Sequence, residues 1–363
     1  MKLTAKVKLL TTPEQHTYLL QTLERANIAC DYISQQAWET KTFGQFKLHE
    51  LTYAVVRVNF DLTAQVVVRC ISKVTDAYKK NKRTQRSFKP HGGIAYDSRI
   101  LNWRVPTQTV SIWSVGGRLA IPFAAGERQL ELLRHQQGET DLVYINKTFY
   151  LFAVCSVEEA KPIDVEGVLG VDLGIANIAV DSDDTFHSGS QVKSVRYRHR
   201  RLRTKLQKKG TKAAKRLLKH LSGKEKRFAN DVNHCISKQL VKTAQGTNRA
   251  IALEDLGGIR DRVTVSGRQR TVLHSWSFHD LQQKIGYKAK RRGVLVIFVD
   301  PRNTSRTCPQ CGCIDKHNRR SQSSFACIGC GFAAHADLVA AGNIASRGAV
   351  NHPNVASRPE MSG

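Results

Sequence analysis

The chain opens with a two-residue alternation. Across residues 2–10, Lys-Leu-Thr-Ala-Lys-Val-Lys-Leu-Leu, apolar and polar side chains take turns, the pattern of a β-strand with one wet face. Thr12-Pro13-Glu14-Gln15 then predicts a helix start: Thr12 can cap, proline is tolerated in the first turn, and Gln15 completes a capping box. Leu19, Leu23, Ala26, Cys30, Ile33 and Ala37 recur at helical spacing and give one apolar face. Helical stretches over 46–60 and 62–80 follow, and the basic run Lys79-Lys80-Asn81-Lys82-Arg83 closes this helical unit as a loop. From 94 to 160 the period shortens again. Runs at 110–115 and 118–123 flank Gly116-Gly117, and runs at 142–145 and 149–154 flank Asn146-Lys147-Thr148, which is hairpin chemistry. These short strands predict a small barrel, with residues 2–10 as its first strand and the helical unit inserted after it.

The second half has another texture. Residues 167–181 read as two strands around Asp172-Leu173-Gly174, a hairpin. Residues 193–227 hold 16 Lys or Arg and one acid, with leucines at helical spacing on either side of Gly210. A helix over 228–243, a buried strand over 250–255, a helix over 275–292 and a buried strand over 294–299 lead to a cysteine-rich segment and a last helix. Alternating strands and helices, with acids at strand ends, predict an α/β layered domain. The polar tail, 349–363, is expected to be disordered.

Composition narrows the partner. The 363 residues suffice for two or three domains, and 57 Lys plus Arg against 30 Asp plus Glu leave a net charge of +27. Such an excess calls for a polyanion, nucleic acid ahead of an acidic membrane surface. No apolar run approaches the roughly 20 residues of a membrane span, and 1–10 has no signal-peptide core. The nine cysteines are an odd number and four are metal-like, so a reducing cytoplasm suits the chain better than a disulfide framework. Cys30, Cys70, Cys155 and Cys235 sit in apolar stretches and read as small buried hydrophobes. Cys313 reads as a spare thiol.

Two constellations carry chemistry. Cys308-Pro309-Gln310-Cys311 and Cys327-Ile328-Gly329-Cys330 form two C-x-x-C knuckles, the spacing that closes a tetrahedral thiolate site around one structural zinc. Between them, Lys316, His317, Arg319 and Arg320 are expected to face outward, toward phosphate or solvent. The second constellation is three separated acids: Asp172 in an apolar run, Glu254 or Asp255 at the end of another, and Asp337 at the start of an Ala-rich helix. Burying an ionised carboxylate is costly without a counter-charge. Two Mg2+ or Mn2+ ions supply one, and two such ions clamp the attacking and leaving oxygens of a phosphodiester. Strand parity leaves the choice between Glu254 and Asp255 open. The one-sign block at 193–227 would repel itself without a polyanion, so Arg198, Arg200, Arg201, Arg203, Lys208 and Lys209 are candidate phosphate contacts, as are Lys79 and Lys80.

Gly170-Val171-Asp172-Leu173-Gly174-Ile175, Arg227-Phe228-Ala229-Asn230-Asp231, Leu253-Glu254-Asp255-Leu256 and the run from Val299 through Cys308-Pro309-Gln310-Cys311-Gly312 follow in order. Phe325-Ala326-Cys327-Ile328-Gly329-Cys330-Gly331 and Asp337-Leu338-Val339-Ala340-Ala341-Gly342-Asn343-Ile344 complete the series. This set, covering 166–348, resembles TnpB (OrfB), the transposon-encoded RNA-guided DNA endonucleases related to compact type V CRISPR effectors. The resemblance implies an RNase H-like RuvC nuclease domain (166–307 and 335–348) interrupted by a zinc-ribbon target-nucleic-acid-binding insert (308–334). It also implies a wedge β-barrel (1–12 and 93–165) interrupted by a helical recognition lobe (13–92). It assigns Asp172, Glu254 and Asp337 as catalytic magnesium ligands, which settles the parity tie, and Cys308, Cys311, Cys327 and Cys330 as zinc ligands. Val339 stands where the family commonly has Asn, for which altered packing is the expectation. A guide RNA from the transposon end and double-stranded target DNA are the implied partners, with one protein per RNA, and Gln65, Arg69 and Lys73 are candidate readers of the target's flanking motif. The competing readings are a compact CRISPR effector and an RNA-guided regulator that binds without cutting.

Overall fold

Strand β1 (Lys2–Leu9) buries Ala5, Val7 and Leu9 and exposes Lys2, Thr4, Lys6 and Lys8, so its alternation survives as one dry and one wet face. The structure, a computed structural model, describes residues 1–256 and 278–351. The chain forms two units, Met1–Glu158 and Glu159–Gly363. This break precedes the one expected at 165/166, because Ile163 and Glu166 donate backbone hydrogen bonds to Gly293 and Asn248 of the second unit.

In the first unit, helices α1 (Pro13–Glu39), α2 (Gln45–Asn59) and α3 (Ala64–Lys80) follow β1. The Thr12 hydroxyl accepts from the Gln15 amide, and the Gln15 side chain accepts from the Thr12 amide, so the capping box is complete. Strands β2 (Ile94–Tyr96), β3 (Leu101–Arg104), β4 (Thr109–Ser114), β5 (Gly117–Ala124), β6 (Gln136–Ile145) and β7 (Thr148–Ser156) join β1 in one sheet, in the order β2-β6-β7-β1-β5-β4-β3. The two edge strands, β2 and β3, are consecutive in the chain, and side chains bridge the gap between them: the Tyr96 hydroxyl of β2 donates to the Trp113 carbonyl of β4, and the Trp103 indole of β3 donates to the Thr140 hydroxyl of β6. The sheet therefore curls into a nearly closed barrel. Asn146 and Lys147 both have positive φ, the two-residue turn that suits the twist of the β6–β7 hairpin. One element departs from the expected run of strands: α4 (Glu127–Arg134), which buries Leu132 and Leu133.

The second unit is an α/β layer. Strands β8 (Gly167–Asp172), β9 (Asn177–Asp181), β10 (Phe186–Ser188), β11 (Arg249–Glu254) and β12 (Val296–Val299) are ordered β10-β9-β8-β11-β12. β8 is parallel to β11 and antiparallel to β9, and β11 is parallel to β12. Helices α5 (Ser190–Lys209) and α6 (Lys212–Leu221) hold most of the basic block; α7 (Lys224–Gly246) and α8 (Phe278–Lys290) follow. Side chains of α7 and α8, among them Ile236, Leu240, Leu281 and Ile285, share a core with Leu169, Val171, Ile251 and Leu253. The opposite face of the sheet carries Gly170, Ala250 and Ala252 and takes the last helix, α9 (Ala336–Asn351). A Cβ on Gly170 would overlap the Ala341 carbonyl, and one on Gly348 would lie 2.7 Å from the Ala252 Cβ. Small residues on both partners thus allow a close approach. The insert between β12 and α9 contains β13 (Ser324–Ala326) and β14 (Ala333–His335).

Two expectations need correction or trimming. Cys235 is exposed, unlike Cys30, Cys70 and Cys155. The buried stripe of α7 instead runs through Asn233, Ile236, Ser237, Leu240, Val241 and Ala244, and its polar members are satisfied by Asp280 and Lys288 of α8. Residues 349–351, placed in the tail by the sequence, are instead the end of α9. Residues 352–363, and 275–277 of the helix expected over 275–292, lie outside the described residues.

Candidate functional site

The three acids converge because of parity and strand direction. Asp172 and Glu254 end the parallel neighbours β8 and β11, and share the face of Gly170, Ala250 and Ala252, against which α9 packs. Asp337 lies in the first turn of that same helix and is buried. Asp255 follows the strand with the opposite parity, its amide bonded to the Val299 carbonyl. The small residues at 250 and 252 are the signal that separates the two candidates, since only a residue in phase with them can look toward α9.

Asp172 feels the charges of the other two acids. Burial, then the charges of Glu254 and Asp337, push the Asp172 carboxyl up to about 7, against the opposing Arg319 charge and the Leu173 amide. Burial raises Glu254 as well, opposed by the Thr304 hydroxyl, which donates to Glu254 Oε1 at 2.5 Å, and by Arg347 and Arg319. Asp337 accepts from Asn177 Nδ2 at 3.0 Å and faces Arg319 Nη2 at 3.3 Å. A buried set of hard oxygen donors, two of which repel the Asp172 charge, fits divalent Mg2+ or Mn2+. The donors are spread, however: among the described residues, only the four cysteines form a group whose donor atoms all lie within 4.8 Å of one another.

That electrostatic strain has a measurable consequence in metal-free protein. The folded-state value of Asp172 lies above its ordinary 3.8, so the folded state holds the proton more tightly. The carboxylate's penalty therefore grows as pH rises from about 4 to about 7 and is complete above that. It amounts to a few kcal/mol, at about 1.4 kcal/mol per unit. With EDTA at pH 8, Asp172→Asn is expected to raise Tm, and the gain should shrink as pH falls toward 4. An unchanged or lowered Tm at pH 8 would contradict the burial and repulsion described.

Arg319 is the site residue that sequence reasoning misplaced. It was expected to face outward with Lys316, His317 and Arg320. Those three are exposed, but Arg319 folds back from the cysteine insert to pair with Asp337 and with the Gln322 carbonyl. Its partner lies eighteen residues on, and nothing in the local pattern marks the pair.

The four thiols form the second cluster. Cys308 Sγ lies 3.6 Å from Cys330 Sγ, and Cys311 Sγ lies 3.5 Å from Cys327 Sγ. Sulfurs bound tetrahedrally at about 2.3 Å from one ion would stand about 3.8 Å apart, so the set fits zinc. Each knuckle closes on a glycine of positive φ: the Gly312 amide donates to Cys308 O, and the Gly331 amide to Cys327 O. The Cys330 and Gly329 amides draw the Cys327 thiol down to about 6, while bonds to its neighbours hold the Cys311 thiol up at about 12 and raise Cys330, so without a metal the cluster favours one thiolate shared among the thiols. Val339 packs with Cys308, Phe325, Cys327 and Ala336, so the apolar residue at this position extends the insert's small core. Asn343 anchors that insert to α9 by donating to the Thr304 and Thr307 carbonyls.

The other candidates divide. Lys79 pairs with Asp76, whereas Lys80, Arg198, Arg200, Arg201, Lys208 and Lys209 are exposed; Arg203 pairs with Glu225. Gln65 and Arg69 both bond Asp97, Arg69 also bonds Glu139, and Lys73 donates to Asn27 at 2.6 Å. These three residues help join α3 to α1 and the barrel.

Comparison with known proteins follows this division of the chain. Residues 152–257 match the family described as "Probable transposase" (OrfB_IS605), and residues 278–344 match "Cas12f1-like, TNB domain". The Cas12f1 CRISPR-associated endodeoxyribonuclease of Sulfoacidibacillus thermotolerans is 34% identical over 205 residues, 52% of this chain and 47% of that protein. The chain thus matches about half the length of that relative, and 37% of a second Cas12f1, from Syntrophomonas palmitatica. The solved miniature RNA-guided endonuclease CRISPR-Cas phi3 shares the fold, with a TM-score of 0.61 at 12% identity, covering 100% of this chain and 93% of that one. The TnpB-like protein MJ0751 of Methanocaldococcus jannaschii is 34% identical over 198 residues, 51% of this chain and 70% of that protein. With its paired strand-end acids, its four-cysteine insert and this match over most of a relative's length, the chain belongs to the TnpB family.

Proposed function

We propose that this chain is a transposon-encoded, RNA-guided DNA endonuclease. In this reading it binds a guide RNA derived from the transposon end and cuts double-stranded DNA beside a short flanking motif, at a single RuvC-like site. The observation that carries the reading is the convergence of Asp172, Glu254 and Asp337 on one face of the β8/β11 pair, in a chain of net charge +27. The sheet order, with β8 central between an antiparallel meander and two parallel strands, supports an RNase H-like nuclease domain.

Asp172, Glu254 and Asp337 would hold the divalent cations, and Cys308, Cys311, Cys327 and Cys330 one structural zinc. The divalent cations, when bound, supply Lewis-acid stabilisation to the attacking and leaving oxygens of the phosphodiester. The protein's own part is orientation. Thr304 fixes one oxygen of Glu254, Asn177 and Arg319 fix Asp337, and burial keeps competing water from the carboxylates. No helix among the described residues is long and apolar enough to cross a membrane.

Lysine and arginine contacts to phosphate carry no sequence information, whereas pairing with an RNA does. The protein alone is therefore expected to bind duplex DNA weakly and without preference. With its RNA it should cut at one sequence, and the cut should move when the variable segment of that RNA is changed and mapped on a plasmid library. A cut site that ignores the RNA, or identical cutting by RNA-free protein, would leave an ordinary metal-dependent nuclease. Sequencing the RNA that copurifies separates a transposon end from a CRISPR array as its origin.

A further inference from the structure

Helix α5 carries nine Lys or Arg and no acid, but its charges are not equivalent. On its inner side, Arg196 and Arg203 turn toward Glu225 of α7, at 3.5 and 3.1 Å, beside the buried Val192 and Leu206. Its outer side is different. Lys193, Arg200, Arg201 and Lys208 are all exposed, and they stand four before, three after, four after and eleven after Tyr197, on one helical stripe. Tyr197 sits within that stripe with 63% of its surface exposed. The Arg201 guanidinium lies 5.8 Å from its ring centroid.

A large ring left in water within a one-sign field is not accounted for by packing. The core of the second unit is built from other residues, and Tyr197 is not among them. A flat aromatic face flanked by cations is, however, what an unpaired base with its neighbouring phosphates requires: the ring stacks on the base and the cations neutralise the backbone. A duplex would offer the same phosphates but keep its bases stacked internally. The stripe from Lys193 to Lys208 spans about 22 Å at about 1.5 Å per residue, enough for several nucleotides of one strand.

We propose that the outer face of α5 is a single-strand binding platform on which Tyr197 stacks an unpaired nucleobase. This rests on the nucleic-acid-binding reading above and specifies the form of ligand. The base could come from a displaced DNA strand or from an unpaired stretch of RNA; the chemistry is shared, and the experiment tells them apart.

The full-length chain, freed of copurifying nucleic acid, is titrated with a short single-stranded DNA carrying one 2-aminopurine, with the same sequence as RNA, and with the corresponding DNA duplex. Wild-type protein is expected to quench the 2-aminopurine in at least one single-stranded probe. Tyr197→Ala should weaken that probe between about 5-fold and 150-fold, the range of one lost base–aromatic stack. The salt dependence should stay as it was, because the phosphate contacts remain. Tyr197→Phe should restore both affinity and quenching, and duplex affinity should be the same in all three proteins. A larger effect on DNA names the displaced strand as the source, and a larger effect on RNA names the guide. Equal losses on single strand and duplex, or no change with Tyr197→Ala, would overturn the platform while leaving the nuclease reading intact. Failure of wild-type protein to bind any probe would overturn both.

Discussion

Replacing Asp172, Glu254 or Asp337 with alanine is expected to abolish DNA cleavage while leaving RNA and target binding largely intact. Each substitution removes a hard oxygen donor from the buried cluster and none removes a phosphate-facing cation. The loss should exceed the roughly 10–100-fold that follows removal of a group merely supporting a metal ligand. Thr304→Val provides that comparison, since it deletes the hydroxyl holding Glu254 and should cost less than Glu254→Ala. Chelation of divalent metal should mimic the three alanine variants, and binding should again survive. The measurement is single-turnover cleavage of a matched plasmid beside a filter-binding assay on the same preparations. Near wild-type cleavage by the Asp172→Ala protein in Mg2+ would remove the catalytic assignment. Loss of binding together with cleavage would mean that the acids hold the fold instead.

Why so much of this site was legible in the sequence, and some of it not, follows from the range of the interactions. The Thr12–Gln15 capping box spans three residues, and the β6–β7 turn is two residues with the backbone it demands; both were readable because both are local. Asp172 stood out because an ionisable group in an apolar strand needs a reason. The four thiols stood out because two C-x-x-C pairs have the spacing that a tetrahedral metal site demands. The choice of Glu254 over Asp255 was present but unread, in the alternation of Ala250 and Ala252 that marks the face toward α9. Arg319, the Gln65–Arg69–Asp97 cluster and the polar α7–α8 contact were not legible. Their partners are brought close only by the tertiary path, and a lone arginine or asparagine in sequence looks like surface. Helix α4 is eight residues long between strands, too short for helical periodicity to declare itself. The buried stripe of α7 also explains Cys235, which sits beside it rather than on it.

If the four thiols hold the proposed zinc, its removal should silence the proposed cleavage from a distance, and Arg319 is the reason. The insert has only a small core, Cys308, Phe325 and Cys327 closed by Ala336 and Val339 of α9, and two three-residue strands. So little buried surface does not hold a module by itself, and in comparable finger peptides metal binding supplies an apparent 10–16 kcal/mol, roughly the whole folding energy. Cys308→Ser or Cys327→Ser is therefore expected to release about one zinc per chain by elemental analysis and to unfold the insert. Because the insert presents Arg319 to Asp337 Oδ1 and runs through β14 directly into α9, its collapse also frees the end of the helix that positions the third acid. Cleavage should fall in both cysteine variants, although neither touches a carboxylate. Arg319→Ala separates the two effects: it should keep its zinc and its fold and still lose cleavage, with Arg319→Lys recovering part of it by restoring the charge without the planar fork. A zinc-free protein with full activity would sever the insert from catalysis. An active Arg319→Ala protein would show that the arginine only staples the insert to α9.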